Sequence, residues 1–243
     1  MANEKIENYL AKTRSDFDNS VLDEIVLLKK KAINCENEEE ANYYWLLEHI
    51  FVAKAMFANA FNKIRNKEYE AAWSLLDETD ILISQLNNNC DDAWLNRFDI
   101  GFLKQIIPEY QKLFPYHLFS SREGIIKKEV CSICGREFKL RGGCNHRVGK
   151  LYMGEICYAE VKEYDLKCIA IVTNPFDKYA VLKFQNQEFN YSILEKAMAN
   201  IDDPYQRFKV DKQYILEKRV EQNHGLEWLK AINRINYSIK IDE

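Results

Sequence analysis

Four cysteines and one histidine constrain this chain more than any other feature of its sequence. Cys131-Ser-Ile-Cys134-Gly135 is followed by Cys144-Asn-His146 and then by Cys157. Four of the seven cysteines and one of the four histidines therefore fall within 27 residues, while Cys35, Cys90 and Cys168 are scattered. A C-x2-C turn beside a glycine lets two thiolates face one cation, and a further Cys or His pair downstream completes a tetrahedral set. The pattern predicts a structural zinc site. A closed zinc site takes four ligands and there are five candidates, so one is spare. Cys131 and Cys134 form the first pair and Cys157 returns to the metal. Cys144 and His146 compete for the remaining place, because residues two apart on an extended segment point the same way, and His146 is the first choice. Burial as small apolar residues would not explain why these cysteines cluster. A catalytic zinc needs an open fourth position, and soft ligands this close together argue for a closed site.

The backbone around the cluster is cut by turns. Five of the eight glycines lie between residues 135 and 154, where tight turns require them. Short strands are predicted at 129–135, 156–161, 167–173 and 179–184, the third ending at Asn174-Pro175. Elsewhere the chain reads as helix, and the whole chain holds only four prolines. Helices are predicted from Glu4 to Ile33, from Asn42 to Ile64, and from Lys67 to the turn at Asn87-Asn88-Asn89. Another starts at a cap on Asp91 or Asp92 and ends near Phe114, with a break or kink at Pro108. Beyond the cysteine region, helices are predicted at 193–198, 205–224 and 226–235. The aromatic residues recurring at helical spacing are core rather than a ligand box.

The predicted architecture is α+β and mainly α. A helical bundle (residues 1–120) carries an inserted zinc-bound β module (121–186) and a C-terminal helical segment (187–243). The chain is acidic, but not evenly so. Residues 1–120 hold 13 Lys and Arg against 20 Asp and Glu, whereas residues 121–150 hold 8 against 3. This basic block, including Lys139, Arg141, Arg147 and Lys150, suits an anion or nucleic-acid contact, or simply the solubilising charge of a small module. No apolar run approaches the ~20 residues of a membrane helix. The first residues lack a basic stretch followed by an apolar core, and the odd cysteine count suits a reducing compartment. The expected setting is the cytoplasm, and the expected partner is a protein, with nucleic acid as a further candidate. The sequence leaves the oligomeric state open.

Two resemblances add to this reading. Cys131, Cys134, Gly135, Cys144, His146, Gly149, Tyr152, Gly154 and Cys157, with Val172-Thr173-Asn174-Pro175 after them, make a segment similar to a short zinc-binding insert. That insert belongs to tailed-phage head-morphogenesis and prohead-protease-type proteins. The likeness covers only Cys131 to Pro175 and implies a shared metal-binding module and a phage or mobile-element setting. It carries no protease activity, since the upstream region is helical. Arg219-Val-Glu-Gln-Asn-His224 resembles the R-x4-H pattern of HEPN-type ribonucleases, which implies Arg219 and His224 as a catalytic pair. A five-residue step turns about 140° around a helix, so the pair would meet only through a distortion or a second subunit. The same two residues also suit a solvated helix end with His224 near its cap. The leading expectation is a zinc-containing adaptor protein without catalytic activity, and the alternative is a helical ribonuclease of the toxin or phage-defence type.

Overall fold

The computed structural model describes residues 2–139, 143–173, 175, 178–183 and 188–210. The fold is α+β and mainly α. Seven helices occur in the described residues: α1 (Ala2–Leu10), α2 (Asn19–Asn34), α3 (Glu38–Arg65), α4 (Tyr69–Asn89), α5 (Asp92–Asn96), α6 (Ile100–Leu113) and α7 (Ser192–Met198). Four strands lie between α6 and α7: β1 (Phe119–Cys131), β2 (Leu151–Tyr152), β3 (Glu155–Ile156) and β4 (Ala159–Val172).

Helix α3 is the axis of the helical part. Asn37 caps it by accepting from the Glu40 amide, and Glu38, Glu39 and Glu40 fill its first turn, where negative charge suits the helix dipole. Tyr44, Leu47, Ile50, Phe51, Phe57 and Phe61 are all buried along it, which requires neighbours on several sides. Helices α1, α2, α4 and α6 supply them.

The predicted helix over 4–33 is two helices. Thr13, Ser15, Asp16, Asp18, Asn19 and Ser20 crowd the junction, and such side chains compete with the helix for backbone groups. Asp18 accepts from the Ser20 amide and starts α2 afresh. The helix predicted from Asp91 to Phe114 is also divided. Asp91 caps α5 as expected, accepting from the Trp94 amide. The interruption falls at Asp99, however, with φ of 63°, and Pro108 lies within α6. Asp is among the few residues that tolerate this left-handed conformation.

Lys54 explains why Asp99 sits there. It is fully buried on α3, and its Nζ donates to Leu10 O (2.7 Å), Lys12 O (3.2 Å) and Asp99 Oδ2 (3.2 Å). Thr13 Oγ1 donates to the same carboxylate oxygen at 3.0 Å. One ammonium thus satisfies carbonyls left open at the end of α1 and anchors the break between α5 and α6. Burial lowers the Lys54 pKa against the opposing pull of Asp99.

Three further expectations change. The short strands predicted at 156–161 and 167–173 belong largely to one 14-residue strand, β4, paired antiparallel with the 13-residue β1. The strand predicted at 179–184 is reduced, in its described part, to a bridge between Val181 and Phe119. Residues 205–210 are not helical, so the predicted helix does not begin at Tyr205. The remainder of that helix, the helix at 226–235, and both Arg219 and His224 lie outside the described residues.

Candidate metal centre

The long β1–β4 ribbon meets the helical body at both ends. At one end Phe119 is buried, stacked near Trp73, whose indole N–H donates to Lys178 O at 2.9 Å. At the other end the ribbon runs into the cysteines. Cys131 is the last residue of β1 and pairs with Ala159, the first of β4. Between the ends, among the described residues, no helix packs extensively against either strand.

The first knuckle is a tight turn after β1. The Gly135 amide donates to Cys131 O and the Cys131 amide to Arg136 O, both at 2.8 Å. Gly135 has φ of +68°, a conformation that suits glycine. Ser132 ties this turn to β4: its amide donates to Tyr158 O, and its hydroxyl accepts from the Tyr158 amide, both at 3.0 Å.

The second knuckle is the β2–β3 hairpin. Its two-residue turn, Met153-Gly154, has positive φ at both positions, the type I′ arrangement that suits a strand pair's twist. The hairpin docks where α3 begins and α4 ends. The Gly154 amide donates to Asn42 Oδ1 (2.7 Å), and a Cβ on Gly154 would lie 3.2 Å from Ala41 O. Asn89 reaches the chain twice, accepting from the Leu151 amide (3.0 Å) and donating to Gly149 O (2.8 Å). Behind the hairpin, Gly149 and Lys150 exchange hydrogen bonds with Cys157, placing its thiol inward.

These two turns bring the predicted donors together. One ligand atom from each of Cys131, Cys134, Cys144 and His146 lies within 4.8 Å of the other three. His146 Nδ1 is 3.5 Å from Cys131 Sγ, and Tyr152 holds the imidazole edge-on at a ring separation of 4.5 Å. Cys144 and His146, set against each other in the sequence, both join the group. Cys157 is buried beside it, 3.7 Å from Cys131 Sγ, but outside the set of four. A tetrahedral ion with metal–sulfur bonds of about 2.3 Å sets neighbouring sulfurs about 3.8 Å apart, so Cys157, at 3.7 Å from Cys131, stands at ligand spacing from that sulfur, while the four donors gather within 4.8 Å of one another. Burial raises the Cys131 thiol pKa, but amides of Cys134 and Ile133 and the thiols of Cys157 and Cys144 outweigh it, bringing the pKa to about 6. Burial and the neighbouring Cys131 push Cys157 up to about 11. Of these two buried thiols, Cys131 therefore ionises the more readily.

The basic residues of the module are partly engaged. Lys139 pairs with Glu137 at 2.8 Å, and Lys150 Nζ donates to Asn88 O. Arg147 is exposed, its amide donating to the Tyr152 hydroxyl at 2.9 Å. Arg141 lies outside the described residues. His49 is a structural group: its Nδ1 lies 2.9 Å from Trp45 O, and its ring stacks on Trp45 at 3.6 Å.

Asn42 and Asn89 are the site residues the sequence did not single out. Asn89 stands in the run Asn87-Asn88-Asn89, which reads as a helix end, and that reading hides its second task of holding the knuckle.

Comparison with known proteins returns no matching family, no matching curated protein and no matching solved structure. No helix among the described residues is long and apolar enough to cross a membrane.

Proposed function

We propose that this chain is a non-catalytic interaction protein, an adaptor, in which one structural zinc fixes a long β-ribbon to a helical body. The observation that carries the reading is where the donors lie. Cys131 closes β1 and faces the start of β4, so a metal held there clamps the ribbon at its root. The donors are thiols and one imidazole with no carboxylate among them, the chemistry of a structural zinc site. Bound zinc would supply a cross-link, which a module of this size needs because its core is small. Cys131, Cys134, Cys144 and His146 would hold the ion. Cys157 would remain a buried thiol donating to the Cys131 sulfur. Tyr152 orients the imidazole, and Asn42 and Asn89 hold the second knuckle in place.

A protein partner is favoured over nucleic acid because Lys139 and Lys150 are already engaged within the chain. The test exposes the purified zinc-loaded chain to single- and double-stranded DNA and RNA at low salt. The expected result is no shift and intact RNA. A shift that weakens steeply with salt and disappears on Arg141→Glu with Arg147→Glu would make the basic module a nucleic-acid surface. Cleavage of RNA by the wild type but not by His224→Ala would make the chain a ribonuclease.

A further inference from the structure

Cross-strand partners share a face, so the register sorts the side chains of the β1–β4 ribbon. Successive pairs alternate faces. One face receives Ser120 with Ile171, Arg122 with Ile169, Gly124 with Leu166, Ile126 with Tyr164, and Glu129 with Val161. Its six apolar side chains are between 42% (Tyr164) and 64% (Ile169) exposed. The other face carries Glu123, Cys168, Asp165, Lys128 and Glu163 along its middle, with Ile125 as the apolar exception there, and Ser121, Ala170, Val130 and Glu160 toward its ends.

Three irregularities create this division. The register skips Lys127, Lys162 and Lys167. Strict alternation would put Leu166 and Ile169 on opposite faces, and the extra residue Lys167 brings them to the same one. All three skipped residues are lysines. Lys127 and Lys167 pair with Asp165 at 3.7 and 2.7 Å, and Lys162 pairs with Glu160, so they reinforce the polar side. On the apolar side the Tyr164 ring lies over Gly124, where an added Cβ would meet its Cζ and Oη at 2.5 Å. The stripe is continuous, and within it Arg122 stands toward one end and Glu129 toward the other.

We propose that this face docks on the same face of a second copy of the chain, the two ribbons crossing about a twofold axis near Leu166. The charges argue for a second copy. A twofold axis at the stripe's centre brings Arg122 of each copy to Glu129 of the other, so one patch is complementary to itself. The area is adequate. Six half-exposed apolar side chains present on the order of 100 Å² each, so two copies cover about 1,200 Å², the lower end of specific interfaces. The strand pairing alone sets the face, so the proposal does not depend on which residues hold the metal.

The test is sedimentation equilibrium of the full-length, metal-loaded chain. The wild type is expected to dimerise at micromolar concentrations. Leu166→Glu with Ile169→Glu is expected to be monomeric throughout, with metal content unchanged and the fold kept, since both side chains are at least half exposed. Arg122→Glu should weaken the dimer ~10-fold, and adding Glu129→Arg should restore it. A dimer that survives Leu166→Glu with Ile169→Glu overturns the proposal, and so does a double charge swap no tighter than Arg122→Glu. A wild type still monomeric at ~100 μM also overturns it. Thiol labelling of Ile169→Cys then says what is there: protection means that another segment of the chain covers the face, and free reaction means that nothing does.

Discussion

Removing the metal by chelation, or replacing Cys131 with Ser, is expected to release the cysteine knuckles and the adjoining end of the ribbon while leaving the helical part folded. The amides of Cys131, Gly135, Gly149 and Cys157 are bonded to carbonyls within the two knuckles. Few buried side chains lie among them apart from Cys131 and Cys157 themselves. A structural metal in such a setting contributes folding free energy directly. Hydrogen exchange at these four amides should accelerate by ~100-fold or more, with the change fading along the ribbon toward Phe119, which Trp73 still holds. The amides in the middle of α3, which pack in the main core, should keep their protection. Unchanged exchange at the knuckle amides in the Cys131→Ser protein would mean that the strand pairing and the docking on Asn42 and Asn89 hold the module without a metal.

Lys54→Met is expected to destabilise the helical part by about 3 kcal/mol, although methionine nearly matches the length of the lysine stem. The loss comes from what the ammonium leaves behind. Leu10 O and Lys12 O lose their donor, and, among the described residues, the Asp99 carboxylate keeps the Thr13 hydroxyl. Removing one member of a buried, bonded group costs the desolvation of its partners and not merely the bond. Asp99 retains some solvent access, with 30% of its side chain exposed, so the lower end of the usual range applies. Urea unfolding should show a lower midpoint at an unchanged slope. Adding Asp99→Asn to Lys54→Met should recover part of the loss, because it removes the stranded charge. Strict additivity of the two changes would show that Lys54 and Asp99 do not act together.

The legible parts of this fold were those governed by local rules. Helices α3 and α4 announce themselves through apolar periodicity without glycine or proline, and Asp91 caps α5 because a short acceptor precedes a helical run. The cysteine cluster was readable because metal geometry restricts ligand spacing, and the four-donor group falls among the five candidates. The illegible parts depend on partners distant in sequence. A lysine inside Phe51-Val-Ala-Lys54-Ala-Met reads as an exception on an apolar helix, and only the fold shows the carbonyls and carboxylate awaiting it. The break at Asp99 has the same origin, and Pro108, where a break or kink was expected, lies within α6. The ribbon was hidden for another reason. Its three lysine bulges shift the two-residue alternation by one position each, so a window over 119–131 or 159–172 shows no steady period. The docking of the second knuckle on Asn42 and Asn89 spans more than 60 residues of chain and leaves no local trace.

The most direct measurement of the central claim is the metal content of the freshly prepared protein beside its cysteine variants, read by elemental analysis. The absorption spectrum after cobalt replacement would report the thiolate ligands. The expected result is one zinc per wild-type chain and a tetrahedral, thiolate-rich cobalt spectrum. Stoichiometric metal should be lost in Cys134→Ser and Cys144→Ser, and kept in Cys157→Ser. Metal kept by Cys144→Ser and lost by Cys157→Ser would move the fourth ligand to Cys157. A wild type that holds no stoichiometric metal while its knuckle amides remain protected would show that the knuckles fold without a structural zinc.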